Sequence, residues 1–597
     1  MTGRILSRPE YRSAQWSLLL PRRTLPRRTL PGRTLPRPTL PQPTPPRPPL
    51  RWPADGGGDP DQPDQIAPPR TDPVPARRRV AWPLAAGAWL LWAVAGLALF
   101  ALFLRMSRTA AVNSDGASNA LQAWAMLHGD PLLRGWQLSD VSFYTTELPQ
   151  YLVIEAVRGL TPDVVHVAAA MTYTFTVLLA ARLAKGDAGG RQGLLRALLA
   201  VGIMIAPQRS EVTVLMLSPD HVGSTVPVML TWLLIDRAGR RWYVPPACGV
   251  LLAWAVVADQ VVLLTGIAPI VAVGLLRAYR QLIARRGPFR SAAFDLGLAA
   301  AGLAAVGAAR AALSLIRAAG GFTVYPVDNR VVGARSLGDN LLQTFHGILL
   351  LFGANFLGQM PGVAVAIAVV HLAGAGLAVW AVCAGLRRFA AAGIVVQLMV
   401  TATVVSVVAY AFGPNASEAL SSREFAAVLP FGAALAGRML AGRLSRAHLV
   451  PALTAALAVY AIGAARVAAA PAAAAENQAV AGWLAAHRLS YGLSEYWMAN
   501  SITLDSGGAV QVRSLLGGRA GVFADWWETK PGWYSPAAHD ANFVVLPSNG
   551  IGPPPGPGPA APTMTEVVAT FGQPARAYFL ADYTILVWST NILANLR

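Results

Sequence analysis

Long apolar runs separated by short polar segments occupy most of the chain between residues 81 and 470. A helix that crosses a bilayer needs about 20 mostly apolar residues, so each run predicts a membrane-spanning helix. The stretch 243–277 is too long for one span, and Asp259-Gln260 divides it into two. The weaker run 341–358 is predicted to be re-entrant or interfacial. The predicted spans are 81–104, 164–184, 192–207, 222–236, 243–258, 260–277, 291–316, 361–386, 390–412, 425–442 and 448–470.

The composition agrees with a mainly α, polytopic membrane protein of about eleven transmembrane helices. Hydrophobic residues make up 54% of the chain and charged residues 13%, whereas about 25% of an average soluble domain is charged. The 49 Lys and Arg exceed the 30 Asp and Glu, but they are dispersed among apolar spans, which argues against a nucleic-acid partner. Arginine far outnumbers lysine beside abundant Ala and Gly, a usage typical of a GC-rich bacterial genome. Cys248 and Cys383 fall inside apolar spans and supply no disulfide framework.

The distribution of arginine predicts which side of the membrane each loop faces. If Arg77-Arg78-Arg79 is cytoplasmic, alternate loops are basic, and the loops between them are longer and richer in acids. Basic loops remain in the cytoplasm, so the amino terminus is predicted inside and the carboxyl-terminal region outside. This phase requires that 341–358 does not cross. We therefore expect a multi-pass protein of the cell (plasma) membrane.

Residues 1–80 are predicted to form a disordered, Pro/Arg-rich cytoplasmic tail. Pro-Arg-Arg-Thr-Leu begins at Pro21, repeats from Pro26 and then decays. Closely spaced prolines favour an extended polyproline II chain, and the arginines repel one another. Two interpretations remain open: a basic arm that contacts anionic lipid headgroups, or a dispensable extension.

The first predicted outer loop, residues 105–163, contains the polar residues of greatest chemical interest. Leu121, Trp124 and Leu127 recur at helical spacing, which predicts an amphipathic helix on the membrane surface. Asp115 stands just before this helix, about ten residues after the first span. A connection this long is usually functional.

Further motifs follow Asp115 in a characteristic order. The helical stretch from Ala120 to Leu127 ends near Gly129, and Leu148-Pro149-Gln150-Tyr151 leads into the second span. In this order, the chain resembles the GT-C superfamily, the membrane glycosyltransferases that take sugar from a polyprenyl-phosphate carrier and include protein mannosyltransferases and aminoarabinose transferases. A second partial match is Ser421-Ser422-Arg423-Glu424-Phe425, ahead of Pro430. The resemblance covers roughly 81–470 in architecture.

The resemblance implies that Asp115 is the catalytic carboxylate. Many members of the superfamily carry two adjacent acids, whereas here Asp115 is followed by Gly116. Asp140 or Glu147, later in the same loop, is the candidate for a second carboxylate. The alternative is that both are solvated loop residues.

The chemistry of sugar transfer suggests which residues assist Asp115. Inverting transfer needs a carboxylate to take the proton of the acceptor and cations to disperse the charge of the leaving phosphate. Arg423, Arg330 and Arg209 are the candidates for binding that phosphate, because a guanidinium is a forked cation. The alternatives are that Asp115 caps a helix and that Arg423 snorkels to the interface or pairs with Glu424.

Asp220-His221 and Asp259 lie at predicted outer ends of spans and are candidates for a substrate or metal contact. Aspartate and histidine are metal ligands, and a carboxylate near membrane depth is costly without a partner. The sequence requires no cofactor, and a divalent metal is the one candidate. The alternative for Asp259 is a hydrated outer turn.

The carboxyl-terminal residues 471–597 are predicted to fold as a small extracytoplasmic α/β domain. The pattern predicts a hairpin around Ser506-Gly507-Gly508 between 501–504 and 510–512. It also predicts a buried strand over 542–546, a helix over 563–571 and a pair of strands over 577–588.

Aromatic residues are frequent in this predicted domain. Tyr496, Trp497, Trp526 and Trp527 are candidates for stacking on an acceptor or sugar ring, because the C–H faces of carbohydrates pack on aromatic rings. The alternative is that these rings form the domain core or rest on the bilayer interface.

These patterns predict a transferase that moves a sugar from a polyprenyl-phosphate donor in the lipid bilayer to an envelope glycan, lipid or protein acceptor, without nucleic acid. One alternative is a lipid-linked sugar flippase or other transporter, which would place charges within spans. Another is a non-catalytic envelope-assembly protein. An enzyme predicts Asp115 and an arginine converging on one outer site, whereas a transporter predicts a polar path through the membrane.

Overall fold

The computed structural model of the chain describes residues 82–205, 209–217, 221–327, 330–416, 419–444, 450–548 and 561–596. The predicted tail 1–80, Asp220 and the side chain of Arg209 lie outside these residues.

Helices occupy the region that the apolar pattern marks as membrane-spanning. Leu- and Ala-rich sequences favour helices, and in lipid a helix satisfies its backbone N–H and C=O groups internally. The helices are α1 Trp82–Ser107, α2 Ser114–Leu127, α3 Leu148–Arg158, α4 Asp163–Lys185, α5 Gly190–Met204, α6 Arg209–Leu215, α7 Val222–Ala238, α8 Val244–Ala258, α9 Ala268–Tyr279, α10 Phe289–Ala318, α11 Leu337–Leu351, α12 Val363–Arg387, α13 Ile394–Phe412, α14 Val428–Leu444 and α15 Val450–Ala468. The protein is therefore mainly helical, as predicted.

Six helical segments of the described chain are long and apolar enough to cross a membrane. They are Trp89–Ser107, Asp163–Lys185, Leu263–Ala284, Phe289–Ala318, Val363–Arg387 and Ile394–Phe412. Because other apolar helices are shorter, the predicted number of about eleven spans stays a prediction.

The break at Asp259 is present as predicted. Helix α8 ends at Ala258, and the helical chain resumes at Leu263. Residues 341–351 of the run 341–358 form the later part of α11, where Leu341, Leu342 and Phe345 are exposed, and residues 352–358 follow the helix as turns and irregular chain. Whether that helix crosses a membrane stays a prediction.

Small residues allow the helices of the bundle to pack closely. A Cβ at Gly437 in α14 would stand 2.4 Å from the backbone oxygen of Arg196 in α5. A Cβ at Gly274 in α9 would stand 2.6 Å from the backbone oxygen of Asp295 in α10. Such close contact between backbones is typical of helices that pack in lipid.

The predicted helix after Asp115 is confirmed as α2. This helix packs against α3 and against a helix of the carboxyl-terminal region, α17. Its buried face is formed largely by alanine and short polar residues. Further along the same loop, β1 Gln137–Leu138 pairs in parallel with β2 Thr323–Val324.

The carboxyl-terminal region contains a six-stranded mixed sheet among its described residues. The strand order is β5-β4-β3-β6-β8-β7, with β3 parallel to both β4 and β6 and the other pairs antiparallel. The elements are α16 Gln478–Ala486, β3 Tyr491–Glu495, α17 Tyr496–Asp505, β4 Gln511–Gly518, β5 Gly521–Ala524, β6 Phe543–Pro547, α18 Met564–Phe571, β7 Arg576–Leu580 and β8 Tyr583–Val587. The predicted strand at 542–546, the helix at 563–571 and the strand pair at 577–588 are confirmed.

The predicted hairpin around Ser506-Gly507-Gly508 is wrong. Residues 501–504 belong to α17, and β4 pairs with β3 in parallel. Ile502 and Leu504 are fully buried on this helix, while the Thr503 hydroxyl donates to the backbone oxygen of Ala499 at 3.0 Å. Packing on the sheet thus overrides the local strand preference of these residues.

Candidate active site

Asp115 lies in the first turn of α2 but does not cap the helix. The cap is Asn113, whose Oδ1 accepts the backbone N–H of Gly116 at 3.0 Å. The Asp115 carboxylate makes distant contacts instead: Oδ2 lies 3.3 Å from Nη1 of Arg423, and Oδ1 accepts the hydroxyl of Tyr496 at 2.6 Å. A helix amino terminus also favours a negative charge.

Arg423 is supplied by a short 3-10 segment, Ala419–Phe425, that precedes α14. Phe425 anchors the segment, since it is 1% exposed and its ring centroid lies 4.3 Å from that of Tyr410. The side chains of Arg423 and Asp115 keep 33% and 16% of their surface exposed. A carboxylate and an arginine therefore meet at a position that solvent reaches.

A second cluster of charged residues, the His221 group, consists of His221, just before α7, with Asp259 and Glu424. Nδ1 of His221 lies 2.9 Å from Oδ2 of Asp259, and its Nε2 lies 3.2 Å from Oε2 of Glu424. Burial lowers the pKa of His221, but the charges of Asp259 and Glu424 raise it further, so the pKa ends well above its usual value. The imidazole is therefore a cation held between two carboxylates. The hydrated turn considered for Asp259 is wrong, because this residue is 2% exposed.

The backbone also constrains His221. Its φ is 48°, in the left-handed region that a residue with a side chain adopts only at a cost. Strain of this kind is concentrated at functional sites. Because Arg423 and Glu424 are neighbours in the chain, one segment contacts both Asp115 and His221.

Asp140 lies close to the His221 group. Burial raises the pKa of Asp140 to about 6, and the charge of Glu424 raises it too, whereas His221 lowers it. The structure thus associates Asp140 electrostatically with His221, Glu424 and Asp259.

Glu147 directly precedes α3, and its carboxyl is buried against Gly223 in the first turn of α7. Burial raises its pKa to about 8, and the hydroxyl of Thr146 donates to it. A Cβ at Gly223 would stand 1.7 Å from its Oε1, so the carboxyl occupies the space that glycine leaves. Glu147, which is 1% exposed, is therefore not a solvated loop residue, whereas Asp140 keeps intermediate exposure and that alternative stays open for it.

The carboxyl-terminal region attaches to the 105–163 loop next to Asp115. The Ser114 hydroxyl donates to the backbone oxygen of Tyr496 at 2.5 Å. Gln137 and Thr529 exchange two backbone hydrogen bonds, of 2.8 and 3.1 Å. The region is therefore part of the site.

Sequence reasoning missed one acid of the site, Glu528, which contacts Tyr496 beside Asp115. The hydroxyl of Tyr496 lies 2.8 Å from Oε2 of Glu528 as well as 2.6 Å from Asp115. Burial raises the pKa of Glu528 to about 8, and the charge of Asp115 adds to the rise. Glu528 stands in the irregular segment after β5, where no periodicity marked it. The one available signal was an acid directly after Trp526-Trp527.

The predicted stacking residues occupy different environments. Trp497 and Trp526 are 40% and 38% exposed, so a ligand can reach part of each ring. Trp527 is half-buried, with its ring centroid 5.3 Å from that of Tyr325. Tyr496 is half-buried, and its hydroxyl bonds the acids. Stacking on a sugar stays a prediction for all four.

Of the three arginines predicted to bind phosphate, the described contacts place Arg423 on Asp115. Arg330 is exposed, in the segment between β2 and α11. Arg209 belongs to α6, and its side chain lies outside the described residues, as does Asp220.

The predicted metal position is described only in part, because Asp220 lies outside the described residues. They include no group of three or more His, Cys, Asp or Glu side chains that could hold a metal ion. Both ring nitrogens of His221 face carboxylates, and an imidazolium has no lone pair to offer a cation. Among the described residues, His221 and Asp259 thus form an ion pair, and a metal contact at this position stays a prediction.

Comparison with known proteins shows a likeness of fold. No protein-family model matches the chain, and no curated protein matches its sequence. The structure of ArnT from Cupriavidus metallidurans in the apo state matches with a TM-score of 0.50 and 12% identity, covering 86% of this chain and 99% of that one. The same protein bound to undecaprenyl phosphate gives 0.49 and 12%, covering 84% and 98%. An oligosaccharyltransferase from Archaeoglobus fulgidus, in complex with Zn and sulfate, gives 0.46 and 12%, covering 76% and 67%.

ArnT is an aminoarabinose transferase of the GT-C superfamily. A sequence identity of 12% supports a shared fold but not a shared function. The chain thus has the fold of a GT-C membrane glycosyltransferase, and the resemblance predicted from Asp115 and its following helix is confirmed at that level. A multi-pass membrane protein follows from this fold and its apolar helices.

Proposed function

We propose that the protein is a membrane glycosyltransferase that moves a sugar from a polyprenyl-phosphate donor to an envelope glycan, lipid or protein acceptor. The observation that carries the proposal is the 3.3 Å contact between Asp115 and Arg423. It joins the acid and the cation that sugar transfer needs, from parts of the chain that are 308 residues apart. The GT-C fold supports the same class of reaction.

The proposed chemistry assigns one task to each charged group. Asp115 accepts the proton of the acceptor hydroxyl while that oxygen bonds the anomeric carbon of the sugar. The bond from this carbon to the carrier phosphate breaks, and the phosphate leaves with the electron pair. Arg423, which keeps a third of its side chain exposed, disperses the new charge on the phosphate through its forked donors.

The His221 group supports the proposal because it holds Glu424, the residue next to Arg423 in the chain. A cationic His221 holds Glu424 at 3.2 Å, which fixes the backbone next to Arg423. Asp259 holds the opposite ring nitrogen at 2.9 Å. We propose that this group orients the arginine, and that Trp497 and Trp526 present aromatic faces to a sugar.

The proposed arrangement in the membrane follows the predicted domains. Residues 1–80 form the cytoplasmic tail, 81–470 the transmembrane module with about eleven spans, and 471–597 an extracytoplasmic α/β domain. The membrane is the bacterial plasma membrane, with Asp115 on its outer side. The arginine-rich alternate loops support this orientation.

Transfer of a radiolabelled sugar from membrane lipid tests the proposal. Asp115→Asn is expected to lower transfer by about 10²–10⁴-fold, the usual contribution of a general base. Asp130→Asn is the matched control, since Asp130 lies in the same loop but pairs with Lys530 at 2.8 Å. Equal transfer in Asp115→Asn and the wild-type protein would remove Asp115 from the mechanism.

A further inference from the structure

Three oxygen atoms form a row between the carboxyl-terminal region and α2. The Tyr496 hydroxyl lies between Oδ1 of Asp115, at 2.6 Å, and Oε2 of Glu528, at 2.8 Å. Both distances are those of O–H···O hydrogen bonds. Each therefore needs one hydrogen atom on the line between its two oxygens.

The row contains one hydrogen too few if both acids are ionised. A phenol has a single O–H, and a carboxylate has none. The Tyr496 hydrogen can form only one of the two hydrogen bonds. The other contact would then bring two oxygen atoms together with no hydrogen between them. An un-ionised carboxyl supplies the missing hydrogen, so one of the two acids carries a proton.

The surroundings identify Glu528 as the protonated acid. Asp115 has the cation Arg423 and the amino terminus of α2 to stabilise a negative charge. Glu528 is 3% exposed; among the groups that act on its pKa, the charge of Asp115 raises it and hydrogen bonds to Tyr496, Ser118 and Ser139 lower it, with burial the largest cause. These groups include no cation, and burial disfavours a charge.

The backbone holds Glu528 in this position. Its φ is 53°, in the left-handed region, where a residue with a side chain is strained. The next residue, Thr529, exchanges two backbone hydrogen bonds with Gln137 of the 105–163 loop. The strained residue is thus fixed beside Asp115 by an attachment between the two regions.

We propose that Glu528 is a positioning residue of the transfer site: as the un-ionised acid it donates to Tyr496, and Tyr496 in turn donates to Asp115. This inference rests on the proposed function. Tyr496, held by Glu528, keeps Oδ1 of Asp115 in place while Arg423 contacts Oδ2. The remaining lone pairs of the carboxylate are left for the acceptor hydroxyl.

The arrangement gives the reaction a dependence on pH. The pKa of Glu528 is raised to about 8 by burial and by the charge of Asp115. Below this value, Glu528 keeps its proton and the row is complete. Above it, Glu528 becomes an acceptor and competes with Asp115 for the single hydrogen of Tyr496. Transfer by the wild-type protein should fall about tenfold between pH 7 and pH 9, because the protonated fraction falls by that factor.

The test compares the pH profiles of transfer by full-length variants in membranes. In Glu528→Gln, an amide N–H donates to Tyr496 at every pH, so the decline above pH 8 should disappear. Tyr496→Phe should lower transfer and also remove the decline. Asp540→Asn, which changes an exposed carboxylate of the same region, should keep it. A decline that is unchanged in Glu528→Gln would overturn the inference.

Infrared spectroscopy of the purified protein gives a readout that needs no activity. At pH 7, the difference between the wild-type protein and Glu528→Gln should contain the C=O band of an un-ionised carboxyl, and this band should vanish as the pH rises past 8. Subtraction is required because Glu147 and Glu155 are also buried acids with raised pKa values. Absence of the band would overturn the inference that Glu528 is un-ionised. The band without any sugar transfer would retain the proton on Glu528 and reject the proposed function.

Discussion

Several described aspartates have arginine partners, and two of them, Asp295 and Asp115, differ in how completely the carboxylate is bonded. Asp295 in α10 is fully buried. Its Oδ1 accepts Nε of Arg277 at 3.0 Å, and its Oδ2 accepts Nη1 of Arg240 at 3.0 Å and Nε2 of Gln281 at 2.7 Å. Two cations and an amide therefore hold this carboxylate.

Asp115 is held by fewer contacts. Among its described hydrogen bonds, one arginine lies at 3.3 Å and one phenol at 2.6 Å. The side chain is 16% exposed, against 0% for Asp295. A carboxylate offers about four lone-pair sites, so Asp115 keeps capacity for a substrate. An arginine partner alone therefore does not distinguish the two aspartates, whereas the lone pairs that Asp115 keeps available fit the general base proposed for it.

The largest expected effect concerns the stability that depends on Asp295. Asp295→Asn should lower the free energy of unfolding by about 3–5 kcal/mol, because it leaves two arginine contacts without their negative partner. Thermal unfolding of the purified protein measures the loss. Asp115→Asn should change the unfolding temperature far less while it abolishes most transfer. If both variants lost the same stability, the contrast between the two sites would fail.

A matched control exists on the same side of the bundle. Asp187 also pairs with an arginine, Arg237 at 2.9 Å, but its side chain is 82% exposed. Solvent screens such a pair, so Asp187→Asn should have little effect on unfolding.

The next largest effect is expected on sugar transfer, from removal of the arginine that contacts Asp115. Arg423→Gln should lower transfer by about 10²-fold, the usual cost of removing one preorganised donor from a developing negative charge. Arg423→Lys should recover only part of the loss, because lysine keeps the charge without the fork. Rates under saturating donor give the measurement. Full activity in Arg423→Gln would assign the phosphate to another cation.

A smaller effect is expected where glycine makes room for an acid. Gly223→Ala places a Cβ 1.7 Å from Oε1 of Glu147, and overpacking of this kind costs about 1–3 kcal/mol. The double variant with Glu147→Ala should recover stability, whereas Glu147→Gln should not, because Gln has the same shape as Glu. Recovery with Gln would show that charge, rather than space, sets the cost.

Much of the fold was predictable because the bilayer imposes a strong pattern. The apolar runs predicted the helices, and a carboxylate within an apolar stretch, Asp259, marked the break after α8. Asp115, Arg423 and His221 could be selected from the sequence because polar residues at the ends of apolar runs are few. Their pairing could not be predicted: Asp115 and Arg423 are 308 residues apart, and no local pattern encodes such a contact.

The carboxyl-terminal region shows where local patterns fail. Ile502 and Thr503 have strand propensity, yet they lie in α17 because that helix buries them against the sheet. Tyr496 could be recognised as an aromatic residue, but the partners of its hydroxyl depend on how this region meets α2. Glu528 lies in an irregular segment whose position is set by backbone bonds to Gln137. Residues fixed by the meeting of two regions leave no periodic signal.

The smallest expected effect comes from an ion pair between the carboxyl-terminal region and the 105–163 loop. It tests whether this pair or the backbone bonds hold the two regions together. Lys530 and Asp130 form an ion pair at 2.8 Å, with side chains 26% and 19% exposed, and such pairs contribute about 0.2–1 kcal/mol. A double-mutant cycle with Lys530→Met and Asp130→Asn, followed by thermal unfolding, should give a coupling energy in this range. The backbone bonds between Gln137 and Thr529 remain in all these variants, so the row that ends at Asp115 stays in place and transfer should change by less than about twofold. A coupling large enough to abolish transfer would show that this ion pair, rather than the backbone attachment, holds the carboxyl-terminal region on the site.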